Sequence, residues 1–251
     1  MESLTRTPRD LEREYLELGK QHGWWRQGAG HLYYCRKLLF GGIDLAGKRF
    51  LDIGCGNGRF CLWAAIRGAA EVVGLEPSVE GSRGGAAVRQ FREFVARLRL
   101  DNVRIEEVTL QDFVQPGRTW DVVLLHAAVN HLDEPACIRL LEDEAARETY
   151  RGLFRKIREL MAPGGKLVIM DCARRNLFGD LGWRNPFVPT IEWHKHQQPK
   201  TWAALLLESG FREPRISWLT SGYSLALGRL ARNRLWAYCT RSSFRLQVTA
   251  D

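Results

Sequence analysis

Between Arg49 and Asp171 the chain alternates short, almost continuously apolar runs with longer helical stretches, and this alternation restricts the fold more than any other feature. The runs 49–54 (RFLDIG), 71–76 (EVVGLE), 103–109 (VRIEEVT), 120–126 (WDVVLLH) and 165–171 (GKLVIMD) predict strands. Helices are predicted at about 58–68, 79–99, 134–161 and 200–209. Apolar strands separated by helices belong to a parallel sheet buried on both faces. In the helix at 134–161 acidic residues gather early and basic ones late, the order that suits the helix dipole. Ala162-Pro163-Gly164-Gly165 predicts its stop and a turn into the next strand. After Arg212 the pattern changes: 214–219 (PRISWL) and 243–248 (SFRLQV) read as an antiparallel pair around a helical insert at 222–240. The expectation is an α/β chain with a seven-stranded, mostly parallel sheet and helices on both faces.

Residues 8–20 form an amphipathic pattern with Leu11, Tyr15 and Leu18 on one face, followed by the aromatic stretch His22–Tyr34. Residues 1–44 are therefore expected to be an N-terminal helical lid on a main domain at 45–251, with a long Pro-bounded loop at 173–199. A chain of 251 residues, 45% hydrophobic, buries a core without staples. Its longest apolar stretch, Val122–Val129, is interrupted by His126 and falls short of the ~18 residues of a membrane span. The N-terminus lacks the apolar segment of a signal peptide, so a cytoplasmic location is expected. No two of the six cysteines form a C-x-x-C, which excludes zinc ribbons and thioredoxin-like sites, and all six read as reduced.

The net charge is +8, and 30 arginines against seven lysines lean toward planar anion recognition. Such a balance permits nucleic acid, an anionic membrane surface or an anionic small molecule as partner, and equally a merely solvated surface. The stripe Leu227, Leu230, Ala231, Leu235 and Tyr238 reads as core packing before membrane contact.

The sharpest local signal is Leu51-Asp52-Ile53-Gly54-Cys55-Gly56-Asn57-Gly58, placed between a strand and a helix. Its glycines allow a tight turn and close approach of a ligand to the backbone. It is G-x-G-x-G and not the dinucleotide fingerprint G-x-G-x-x-G, whose third glycine would fall on Arg59. Here the chain resembles the class I S-adenosylmethionine (SAM)-dependent methyltransferases, whose fold is Rossmann-like. The resemblance is close over about residues 45–172, down to Met161-Ala-Pro-Gly-Gly-Lys-Leu at the entry to the fifth strand. It implies SAM as cofactor, with Asp52, Gly54, Gly56 and Gly58 forming the loop beneath it. It further implies Glu76, followed by Pro77, on the ribose, and Gln111, Asp112 and Phe113 around the adenine. His126 would lie on the strand bordering the methionine, and Arg26 of the lid would meet the carboxylate.

On the acceptor side the (N/D)-P-P-(Y/F) motif of amino-directed nucleic-acid enzymes is absent, as is a Pro-Cys nucleophile, which argues against base methylation but not ribose methylation. His131 lies where ubiquinone-pathway O-methyltransferases carry a histidine beside metal-holding carboxylates. This chain offers His126 and Asn130 there instead. A divalent metal (Mg or Mn) is left open, with His126, His131 and Asp171 as candidate ligands. In the loop, Glu192, His194 and His196 would share one side of an extended segment. His131, His194 and His196 are the candidate catalytic bases. The expected activity is SAM-dependent methylation of a hydroxyl on a small molecule, such as a sugar or polysaccharide-biosynthesis intermediate. Arg174, Arg175 and Arg184 are placed to hold an anionic group on it. An RNA-directed ribose methyltransferase and a non-catalytic SAM-fold partner protein are the alternatives, nucleic acid being the less favoured partner, and the oligomeric state is left open.

Overall fold

The computed structural model describes residues 7–25, 27–77, 83–219 and 233–251. The chain divides into two compact units, Met1–Phe113 and Val114–Asp251. The expected insert at 222–240 falls largely outside the described residues, which resume at Asn233.

The first unit holds three parallel strands: β1 (Arg49–Ile53), β2 (Glu71–Leu75) and β3 (Val103–Glu106). Their apolar residues, among them Phe50, Leu51, Val72 and Val73, are fully buried. Four helices accompany them: α1 (Pro8–Gln21), α2 (Gly28–Tyr33), α3 (Arg59–Ile66) and α4 (Arg83–Leu98). Every residue of α3 from Phe60 to Ile66 is buried, as expected for a helix covered on all sides. By contrast α4 buries one stripe, Val88, Phe91, Phe94 and Leu98. Strand β3 ends three residues earlier than the pattern predicted, because Glu107 to Thr109 leave the ladder before the turn at 109–113.

The N-terminal segment packs inside this unit through aromatic contacts. Tyr15 is fully buried, its hydroxyl 2.7 Å from His31 Nε2 and donating to the Arg59 carbonyl at 3.0 Å. Trp25 stacks on His31 with ring centroids 3.8 Å apart. Gly19 makes room for this stack, since a Cβ there would meet the Trp25 ring at 2.0 Å. Burial, with Arg59 nearby, lowers His31 to about 3, so it stays neutral.

In the second unit β4 (Trp120–His126) runs parallel to β5 (Met161–Cys172), and β7 (Ser243–Ala250) runs antiparallel to both β5 and β6 (Phe211–Leu219). The strand order β3-β2-β1-β4-β5-β7-β6 gives the expected seven-stranded, mostly parallel sheet. The helices here are α5 (Glu134–Arg139), α6 (Glu144–Glu159), α7 (Leu177–Asp180), α8 (Pro199–Glu208) and α9 (Arg234–Tyr238).

Two expectations are corrected in this unit. The single helix at 134–161 is two helices, because Asp133 and Asp143 are both N-caps. Asp133 accepts from the Ala136 amide at 2.9 Å and Asp143 from the Ala145 amide at 2.8 Å. The early acidic residues mark two starts and not one dipole. Likewise Ala162-Pro163-Gly164-Gly165 does not end a helix; it is an outward bulge within β5, where Trp120 pairs with Met161 but Val122 with Lys166. A smaller irregularity in β6 falls at Glu213-Pro214, between Arg212 and Arg215, where proline costs no ladder bond. All six cysteines are free, and no described helix is long and apolar enough to cross a membrane.

Candidate functional site

The glycine loop leaves the carboxyl end of β1 and enters α3, and each glycine has its own reason to be there. Gly54, Gly56 and Gly58 all have positive φ (73°, 55° and 74°). At Gly58 a Cβ would also strike the buried Phe91 ring at 2.3 Å, so this glycine serves packing. At Gly56 nothing lies within 4 Å of the Cβ position: the loop faces open space. The Gly56 amide donates to Glu76 Oε2 at 2.7 Å, joining the ends of β1 and β2.

Asp52, next to last in β1, is 1% exposed. Its Oδ2 accepts from the Cys61 thiol at 3.6 Å, while its Oδ1 is buried without a hydrogen-bond partner. Burial raises its pKa from the ordinary carboxylate range to about 7, with Cys61 and Arg59 opposing. The folded-state value lies above the unfolded one, near 4. Asp52 therefore favours the folded state fully only below about pH 4, and that contribution is lost as pH rises through about 7. For Asp52→Asn the difference in Tm between variant and wild type is expected to move in the variant's favour from pH 5 to pH 8 in cofactor-free protein. Thermal melts at the two pH values check this; parallel pH slopes would contradict it.

Further along, Gln111 and Asp112 are exposed and Phe113 is buried. Asp112 accepts from the Thr109 hydroxyl at 2.6 Å, so its carboxylate closes its own turn. Pro77 is exposed beside Glu76, and Arg26 falls outside the described residues.

In the second unit the carboxyl ends of β4 and β5 carry the polar groups. His126 is half-buried at the end of β4. The chain then turns through Ala127, at φ 52°, into a short helical turn at Val129–His131. The Tyr150 hydroxyl lies 3.0 Å from the Val129 carbonyl and 3.2 Å from that of Asp133, anchoring this loop to α6. Asn130 is 1% exposed, with its Oδ1 unpartnered and its Nδ2 3.4 Å from His131 Nε2.

The loop histidines do not lie as the alternating pattern predicted. Trp193–Lys195 is a tight helical turn and not extended, so Glu192, His194 and His196 do not share a side. Lys195 pairs with both Glu192 and Glu134 at 2.8 Å, and Glu134 in turn meets His131 Nδ1 at 3.3 Å. Lys195, then His131, hold the Glu134 carboxyl below its ordinary range. His194 is exposed. His196 turns inward, its Nδ1 3.2 Å from Asp171 Oδ1 at the carboxyl end of β5. The contact is close enough for an ion pair but not aligned as a hydrogen bond, and Asp171 Oδ2 is buried without a partner. Loose alignment of this kind is common in active sites without substrate.

The three candidate metal ligands do not converge. Asp171 faces His196, His131 faces Glu134, and no three His, Cys, Asp or Glu side chains group for a metal among the described residues. Asp133 is occupied as a helix cap. Sequence reasoning missed the Asp52–Cys61 contact, the Asp171–His196 pair and the Glu134–Lys195 bridge. None of the three had a local signal; the local pair at Lys195 is the one with Glu192, three residues before it.

A family model described as "Methyltransferase domain" matches residues 24–213. A ubiquinone biosynthesis O-methyltransferase from Neisseria meningitidis is 36% identical over 101 residues, 39% of each chain. One from Acinetobacter baylyi is 28% identical over 204 residues, 75% of this chain and 76% of its own. A tRNA U34 carboxymethyltransferase from Methylococcus capsulatus is 26% identical over 72% of this chain and 50% of its own. The match to the Neisseria relative thus spans about two fifths of its length. Among solved structures, an S-adenosylmethionine-dependent methyltransferase from Mesorhizobium loti superposes with a TM-score of 0.55 at 19% identity, over 82% of this chain and 92% of that one.

Proposed function

The chain belongs to the methyltransferase domain family of SAM-dependent enzymes, and from that premise we propose that it methylates a hydroxyl oxygen of a small molecule, with His196 as the base and Asp171 as the residue that orients it. The observation that carries this reading is the Asp171–His196 pair at the carboxyl end of β5. Ligands of open α/β sheets lie beyond the carboxyl ends of the strands.

Asp52, Gly54, Gly56, Gly58 and Glu76 would hold the cofactor. The open space at Gly56 and the unpartnered Asp52 Oδ1 fit a ligand with a cationic end. Glu76 holds the loop through the Gly56 amide and would offer its other oxygen to the ribose, with Gln111, Asp112 and Phe113 around the adenine. When bound, SAM supplies an already activated methyl group. The chain's remaining task is to align the acceptor and remove its proton. A carboxylate at Nδ1 keeps the imidazole proton on that nitrogen and leaves Nε2 free to take one from a hydroxyl. His131 also has a carboxylate at Nδ1, but that pair is exposed and Glu134 is shared with Lys195, and His194 is itself exposed, so neither is assigned the proton transfer. No step is assigned to a metal, because the candidate ligands do not form a set.

The relatives named O-methyltransferases support oxygen as the acceptor atom. Nothing in the structure favours a sugar over other hydroxyl compounds. The tRNA-directed relative and the +8 charge favour an RNA-directed second reading. Purified protein incubated with methyl-labelled SAM, a panel of phenols and alcohols, and bulk tRNA separates the two. Label is expected on small molecules, with tRNA binding lost by moderate salt; label on tRNA would replace the first reading with the second.

A further inference from the structure

A cavity of about 700 Å³ opens in the second unit among α8, α9 and β6, and none of its lining residues is assigned a step in the transfer above. Its apolar lining comes from Pro199, Ile216, Trp218 and Leu235. Its hydroxyls are already committed. Tyr238 donates to Asp180 at 2.8 Å, and Ser242 donates to the Arg175 carbonyl at 2.6 Å. Arg175 is itself paired with Asp180 at 2.8 Å.

Lys200 and Arg234 differ. Both are exposed, both line the cavity, and neither is ion-paired among the described residues. Among the described residues no carboxylate lines the space. A ligand there meets apolar wall, the Gln198 side chain, the Arg175 guanidinium already paired with Asp180, and two cations without an ion pair among the described residues. A neutral compound would leave the cations without a counter-charge, and an inorganic anion would leave the apolar wall wet. The volume is that of a site for a small organic ligand.

The cavity also lies near the acceptor side. Asp171 is opposite Phe244 in the β5–β7 ladder, and Phe244 is opposite Trp218 in the β7–β6 ladder. Two strand spacings put Trp218 about 10 Å from Asp171, with both side chains on one face of the sheet. Pro199 and Lys200 follow His196 closely in the chain.

We propose that this cavity binds an amphipathic organic anion, an apolar or aromatic body bearing a carboxylate, sulfonate or phosphate, and that this anion is the end of the methyl acceptor remote from its reacting hydroxyl. The acceptor role rests on the assignment of His196 as base; the binding does not.

Titration calorimetry of the full chain with 1-naphthyl phosphate and with neutral 1-naphthol tests the binding. The phosphate is expected to bind at least about tenfold more tightly. The double variant Lys200→Ala/Arg234→Ala loses that preference with its Tm unchanged, and His196→Gln keeps it. Equal affinity for the two probes, or an undiminished preference in the double variant, overturns the site. The acceptor role is read separately, from inhibition of methyl transfer by saturating 1-naphthyl phosphate. Binding without inhibition removes that role. A His196→Gln variant that still turns over removes the base assignment and leaves the cavity standing.

Discussion

Gly56→Arg is expected to weaken SAM binding about a hundredfold while leaving the protein folded. A Cβ on residue 56 points into space with no atom within 4 Å, so a side chain can leave the loop there without striking the protein at its root. The positive φ of 55° imposes a strain of about 1–2 kcal/mol, worth a few degrees of Tm in a chain of this size. The long cationic side chain instead fills the place expected for the cofactor. A clash on the order of 3 kcal/mol weakens binding about a hundredfold. Gly58→Ala is the informative contrast in the same loop. Its Cβ would meet Phe91 at 2.3 Å, and Phe91 is fully buried. Overpacking and backbone strain together cost about 2–4 kcal/mol, so this variant is expected to fail in a thermal melt before it fails in a binding assay. Calorimetry and melting of the two variants distinguish a ligand-facing glycine from a packing glycine. Normal SAM binding by Gly56→Arg, or a Gly58→Ala variant that melts with the wild type, would overturn these roles.

The second large effect is expected at Asp171 and His196. Removing a general base slows proton transfer by about 10²–10⁴, and exchanging its orienting carboxylate for an amide can cost as much by stabilising the wrong tautomer. His196→Gln and Asp171→Asn are therefore expected to fall by similar factors, and the double variant by little more than either, since the pair acts as a unit. Cofactor affinity should be unchanged in all three, because neither residue is assigned to the cofactor. His131→Gln and His194→Gln are the controls. His131 sits in a surface network with Glu134 and Lys195, whose loss is expected to leave stability nearly unchanged.

The place of the glycine loop in the fold was largely legible because its information is local. Asp52 to Gly58 is a contiguous stretch between a strand and a helix, and Glu76 is joined to it across one parallel ladder. The acceptor half was not, because its geometry comes from the path of a long loop. Glu192, His194 and His196 alternate in sequence, and only the turn at Trp193–Lys195 separates them. That turn is held by Lys195 bridging to Glu134, a partner far away in the chain. Asp171 was visible as a strand-end acid, but nothing local paired it with His196 before His131. Helix boundaries failed for a related reason. An acidic residue looks the same in sequence as a cap or as a first-turn charge, and Asp143 is a cap in the midst of a helical pattern. In β5 the Pro-Gly-Gly segment carries every mark of a stop, yet the ladder resumes beyond it as a bulge.

Transfer of a methyl group to oxygen with His196 as base can be followed in single-turnover transfer from labelled SAM to a hydroxyl acceptor found in the panel. Wild type and His196→Gln are compared at saturating cofactor, and the labelled atom is identified in the product. Expected are the methyl group on oxygen, a rate in the variant lower by about a hundredfold or more, and equal SAM affinity in the two proteins. A methyl group on nitrogen or carbon, or a His196→Gln rate equal to that of the wild type, would contradict that expectation.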